Sequence, residues 1–163
     1  MRGLSQTLHP SILDELGLDS AIQWYVSTIE KQLGLQVVYS QLGAPVVVDA
    51  TIAIQVYRVL QEAMSNVARH SGARSARIVL RFVPGAVELD VVDDGRGIAA
   101  GDRRGLGLVA MRERAELVGG TLEFLEPAGG GTLVRLQVPL PAAAGAGAEP
   151  ATVERQDFRP RAV

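Results

Sequence analysis

Asp93-Asp94-Gly95-Arg96-Gly97-Ile98 follows directly on the apolar run Val87-Glu88-Leu89-Asp90-Val91-Val92. In that run Val87, Leu89 and Val91 alternate onto one face, the period of a half-buried strand. Asp93 then sets a carboxylate at the strand end, and Gly95 and Gly97 break the backbone behind it. An acid in that position accepts a hydrogen bond from a ligand, while the glycines let the backbone come close. Taken alone, D-x-G-x-G is a weak pattern. Its meaning depends on what stands around it.

Upstream, Ala53 to His70 reads as a helix. Tyr57, Leu60, Met64 and Val67 form an apolar stripe. Asp49 is placed to cap the start, and Ser71-Gly72 to close the end. Arg58, Glu62, Asn66 and Arg69 fall on another face at three- and four-residue steps. One reading of that face is a solvated polar surface with Arg58 and Glu62 as an ion pair. The other is a functional face, because asparagine is a poor helix-interior residue without a task.

Downstream, Gly105-Leu106-Gly107-Leu108 opens a second helix, with Leu108, Met111, Ala115 and Val118 as its apolar positions and Gly119-Gly120 as its stop. A glycine turn feeding a helix amino end presents free N–H groups and a favourable dipole, both suited to a phosphate. Gly129-Gly130-Gly131-Thr132 is the turn of a hairpin between Thr121–Leu125 and Leu133–Val138. The Thr132 hydroxyl is placed to orient a neighbouring carboxylate.

In order, E-x-x-x-N, D-x-G-x-G, G-x-G-L and G-G-G-T resemble the catalytic ATP-binding domain of bacterial sensor histidine kinases, within the wider group that includes gyrase, Hsp90 and MutL. Arg58 to Asn66 with Arg69-His70, and Gly105 to Ala115, look like the nitrate/nitrite-sensor and DesK-like subfamily. Leu8-His9-Pro10-Ser11-Ile12-Leu13-Asp14-Glu15-Leu16-Gly17-Leu18 resembles that subfamily's junction between dimerisation helix and catalytic domain. The likeness covers about residues 4 to 140.

The resemblance implies an α/β sandwich, the Bergerat or GHKL fold, with a mixed, mostly antiparallel sheet and helices on one face. It implies ATP and Mg²⁺ as cofactors. Asp93 would take the adenine amino group, supported by Thr132. Asn66 would bind Mg²⁺, and Glu62 would act as base or polariser toward an incoming imidazole. Arg69 and His70 would lie beside phosphate or base. Gly95, Gly97 and Ile98, with Gly105, Leu106, Gly107 and Leu108, would line the nucleotide on either side of a short lid, Gly97 to Gly105, whose Arg103 and Arg104 could reach the phosphates. The reaction implied is phosphoryl transfer to a histidine for relay to a response regulator. His9 precedes a proline and lacks the helical context of an acceptor, and His70 belongs to the ATP helix. The acceptor helix of a homodimeric kinase, with any membrane anchor, is therefore expected before residue 1. Two other readings stay open: an ATP-binding scaffold without catalysis, and a serine kinase of the anti-sigma-factor type.

Composition fits one soluble domain. The chain has 163 residues, 47% of them hydrophobic and 21% charged, with a net charge of -2 and no cysteine. That balance gives no electrostatic case for nucleic acid, and no thiolate metal site or disulfide is available. No apolar run approaches membrane-spanning length, and a cytoplasmic location is expected. Residues 1 to 12 read as the end of a dimerisation helix, 13 to 140 as the catalytic domain and 141 to 163 as a disordered Ala/Gly/Pro-rich tail. Further expectations are a helix over Asp19–Leu33, strands at Gln36–Ser40 and Val46–Val48, and a hairpin of Ala76–Val83 with Val87–Asp93.

Overall fold

The computed structural model describes residues 11–98 and 105–142. The elements run α1 (Ser11–Leu33), β1 (Gln36–Leu42), α2 (Ala50–Asn66), β2 (Ser75–Val83), β3 (Ala86–Asp93), α3 (Leu106–Leu117), β4 (Thr121–Leu125) and β5 (Thr132–Pro139). A π-helical turn, Val67–Ser71, continues α2 and ends at Gly72 in the left-handed region.

The five strands form one sheet in the order β1-β2-β3-β5-β4. Only β1 and β2 run parallel, because α2 crosses over between them; the other three pairings are antiparallel. The central strand β3 carries D-x-G-x-G at its end. Its alternation sends Val87, Leu89 and Val91 into the core, each no more than 2% exposed, and the same step of two puts Asp93 on the helical side.

The helices cover one face of the sheet. Leu60, Met64 and Met111 are fully buried between α2, α3 and the strands, each contributing about 1.5–3 kcal/mol of transfer free energy. Arg114 Nη1 donates to Gln55 Oε1 at 3.2 Å and ties α3 to α2. The Arg112 guanidinium lies 5.3 Å from the Phe124 ring centre and ties α3 to β4. Tyr25 and Tyr57 meet edge to face at 5.8 Å between α1 and α2. The predicted α/β sandwich is therefore the architecture found.

Two elements differ from the sequence expectation, and the expected Asp49 cap of α2 is found. Val46–Val48 is not a strand; Val47 is fully exposed and the segment is a loop into α2. Three β-branched residues supply propensity, but the segment pairs with no strand of the sheet. Helix α1 is two helices that meet at a kink at Gly17, whose φ of 83° and ψ of 177° are not helical, so the expected helix from Asp19 is preceded by a further short one from Ser11. Glycine tolerates the positive φ that the kink requires. Helix α2 begins at Ala50, where the Asp49 carboxylate accepts from Thr51 N–H at 2.8 Å as a capping residue should.

Candidate functional site

Asp93 is 6% exposed and lies at the floor of the site. The backbone N–H groups of Gly95 and Thr132 donate to its carboxylate, the former at 2.8 Å. Thr132 is its direct partner in register on β5. The Thr132 contact to Asp93 comes from its main-chain N–H rather than from the hydroxyl that the sequence reading named. Burial pushes the Asp93 carboxyl above the usual range, the two N–H donors pull it back, and neighbouring Asp94 adds to the rise. A buried acceptor with capacity left over is a recognition group for a donor on a ligand.

The glycines around it are close approaches. A Cβ on Gly95 would overlap the Ser71 carbonyl and stand 2.8 Å from Asp93 Oδ1. A Cβ on Gly131, whose φ is 89°, would overlap the Asp93 carbonyl. Gly97 has φ 78° beside the Gly131 carbonyl. Ile98 is half-buried against the core. No side chain other than hydrogen fits at Gly95 or Gly131, so the backbone itself forms this wall.

The second half of the site lies between α2 and α3. A Cβ on Gly107 would overlap Glu62 Oε1 and stand 3.4 Å from Asn66 Oδ1. Gly107, Glu62 and Asn66 therefore converge, one turn of α2 facing the amino end of α3. Gly105 begins α3 with no side-chain cap, and Leu108 is buried beneath it. The Leu108 N–H turns back to the Gly105 carbonyl at 3.0 Å; a helix amino end of this kind, without a side-chain cap, suits an anion. Arg58 does not pair with Glu62; its Nη1 donates to Gln61 Oε1 at 3.1 Å. The ion-pair reading of the polar face is thereby replaced, and Glu62 is left facing Gly107. Arg69 is exposed on the π-helical turn. The side chains of His70 and Leu106, residues 99–104 of the expected lid with Arg103 and Arg104, and residues 1–10 and 143–163 lie outside the described residues.

The donor set fits a nucleotide with a divalent cation. Carboxylate and backbone face one end, while a hard amide oxygen, a carboxylate and a helix amino end face the other. The sequence reading passed over two residues that hold these halves together. Ser71 is buried; its hydroxyl donates to the Val67 carbonyl at 2.7 Å, and its own carbonyl accepts from Arg96 N–H at 2.9 Å. Asp94 accepts from Arg74 N–H, Ser75 N–H and the Ser75 hydroxyl at 2.9, 3.0 and 2.9 Å. The signal for both was present: a short polar residue at a helix stop, and a second acid after the strand.

Comparison with known proteins agrees with this geometry. The chain is 38% identical over 143 residues to the oxygen sensor histidine kinase NreB of Staphylococcus carnosus (strain TM300), covering 86% of this chain and 41% of that protein. It thus spans about two fifths of the length of that curated relative. Among solved structures, the histidine kinase domain of the Erythrobacter litoralis EL346 blue-light activated histidine kinase superposes with a TM-score of 0.62 at 24% identity, covering 76% of this chain and 65% of that one. The ATP binding domain of PrrB from Mycobacterium tuberculosis gives 0.59 at 24%, covering 72% and 89%. These two likenesses carry the fold. Residues 51–142 match the family described as histidine kinase-, DNA gyrase B-, and HSP90-like ATPase, and the chain belongs to that family.

Proposed function

We propose that this chain is the ATP-binding catalytic domain, about residues 13–140, of a two-component sensor histidine kinase. It would move the γ-phosphoryl group of ATP to a histidine on a dimerisation helix, for relay to a response regulator. The observation that carries this is the convergence of Glu62, Asn66 and Gly107, with the buried Asp93 tied through Gly95 and Ser71 to the turn that follows Asn66. A base-recognition group and a phosphate-and-metal group joined in this way suit a nucleoside triphosphate. The names of the relatives supply the histidine as acceptor.

In this reading Asp93 accepts from the adenine amino group, held for that task by the Gly95 and Thr132 N–H groups. Asn66 would hold Mg²⁺ through its amide oxygen; the cation would neutralise phosphate charge as the bond breaks. Glu62, one helical turn earlier, is placed to take or polarise the imidazole proton. The amino end of α3, with Gly105 and Gly107, receives phosphate oxygens. Arg69 and His70, three and four residues after Asn66, would serve the same end. The catalytic work is positioning and charge stabilisation rather than covalent chemistry.

The full-length protein would be a homodimer with the catalytic domain in the cytoplasm, where ATP is. Among the described residues, no helix is long and apolar enough to cross a membrane. The test is incubation of the full-length kinase with labelled ATP. A phosphoprotein that loses label in acid and keeps it in alkali, and that Glu62→Gln abolishes, supports the reading. An acid-stable phosphoprotein, as phosphoserine would give, contradicts it and favours the serine-kinase alternative. ATP binding without any phosphoprotein favours the scaffold.

A further inference from the structure

The two motifs of the site are not joined by sequence, yet they are joined by Asp94. Its backbone N–H donates to the Ser75 carbonyl at 3.3 Å, and its carboxylate receives three donors from Arg74 and Ser75. Those donors, the Ser75 N–H foremost, hold the Asp94 carboxyl below the usual range although the group is exposed. Arg74 and Ser75 are the last residues of the segment that leaves the π-helical turn and enters β2. Three residues earlier in that segment stands Ser71, against which Gly95 is packed and to whose carbonyl Arg96 donates. Gly95 in turn gives its N–H to Asp93 Oδ1. At its other end the turn begins at Val67, directly after Asn66.

Resting on the nucleotide reading above, the geometry points to Asp94 as a positioning residue for base selection: it staples the segment after α2 to the D-x-G-x-G loop, and so fixes the Gly95 N–H that aims the Asp93 carboxylate. Asp94 touches no ligand in this role. It acts through Ser71 and Gly95. Its carboxylate is engaged by three local donors from Arg74 and Ser75, so its effect on nucleotide is transmitted through that segment. The staple also couples the Asp93 end to the Asn66 end, because both flank the same short turn. Loosening it leaves Asp93 buried but unaimed, and an unaimed acceptor discriminates poorly between an amino group and a carbonyl on the base.

The experiment is titration calorimetry of ATP and GTP into the full chain and its variants, with thermal melting of each. Asp94→Ala is expected to reduce the ATP-over-GTP affinity ratio about tenfold, the factor that about 1.4 kcal/mol of lost discrimination gives. Asp94→Asn keeps an oxygen for the Arg74 and Ser75 N–H groups and is expected to retain most of the ratio. Ser75→Ala, which removes only the hydroxyl donor, should show a smaller loss than Asp94→Ala. A ratio in Asp94→Ala equal to that of the parent overturns the inference. So does an equal loss of ATP and GTP affinity, or a chain that no longer melts cooperatively, since either marks a purely structural staple. Asp94→Asn behaving like Asp94→Ala also overturns it, because charge and not bonding would then be the cause. A parent chain that binds neither nucleotide overturns the nucleotide reading itself, an outcome separate from these.

Discussion

Asp93 is pulled two ways, and the balance sets its behaviour with pH. Burial raises its carboxyl above the usual range, and the N–H donors of Gly95 and Thr132 restrain the rise. The folded chain thus binds this proton more tightly than the unfolded chain does, so Asp93 favours folding more as pH falls. Nucleotide binding moves the other way, because a protonated Asp93 is a poorer acceptor. ATP affinity should therefore begin to fall on acidification at a higher pH than an exposed aspartate would dictate, while Asp93→Asn shows a flat profile over the same range. An affinity of the parent chain that stays constant through mild acid would contradict the role given to Asp93. Gly107 is the other decisive residue. A Cβ there meets the far end of the Glu62 side chain rather than rigid backbone, so Gly107→Ala should leave the melting temperature within a few degrees and displace Glu62. Misplacing a catalytic group by about 1 Å is worth on the order of a hundredfold in rate. Gly107→Ala should therefore lower phosphorylation by about that factor in the full-length kinase while the fold persists. A variant with parental rate would show that Glu62 has room to spare.

At the scale of elements, the sheet is held on its outer face by charge. Asp90 is 4% exposed on β3 and is clamped by Arg81 of β2 and Arg135 of β5 at 2.7 and 2.9 Å. Burial pushes its carboxyl up, but the two guanidinium groups outweigh that and hold it below the usual range. Its stabilising contribution is thus present at neutral pH and is lost as pH falls through that lowered value. Either arginine alone still leaves Asp90 paired, and both are partly solvated, so each single alanine change should cost less than about 1 kcal/mol. Removing both leaves a buried carboxylate alone, which should cost about 3 kcal/mol. Urea unfolding of the two single variants and the double variant tests this; strict additivity would contradict it.

The same strands show what the sequence could and could not tell. The alternation of Val87, Leu89 and Val91 located β3 and pointed Asp93 at the helices. The stripe of Tyr57, Leu60, Met64 and Val67 located the core face of α2, all four being buried. What escaped were features fixed by cross-strand neighbours. Asp90 looks like an ordinary polar position until Arg81 and Arg135 are known to flank it. Val46–Val48 looks like a strand, yet it pairs with none of the five strands. Glu62 looks paired to Arg58 by spacing alone, whereas Gln61 takes that arginine. Local pattern carries the periodicity of an element, but pairing partners are tertiary facts.

At the scale of the molecule, the candidate site residues come from two different layers. The sheet layer supplies Asp93, Gly95, Gly97 and Thr132; the helical layer supplies Glu62, Asn66, Gly105 and Gly107. The π-helical turn Val67–Ser71 is the short bridge between them, with Asn66 before it and Ser71 packed on Gly95 after it. This arrangement is how four motifs scattered from residue 62 to residue 132 would act as a single site. In the proposed reading the domain discriminates nucleotides by the base and holds them by the phosphates. The most direct test is calorimetric titration of ATP and GTP into this chain, with and without Mg²⁺, beside Asp93→Asn. The account predicts saturable ATP binding strengthened by Mg²⁺, weaker GTP binding, and a loss of about tenfold or more in ATP affinity on Asp93→Asn, the scale of one hydrogen bond to a charged group. Equal affinity for the two nucleotides, or an Asp93→Asn chain that binds ATP as the parent does, would contradict it.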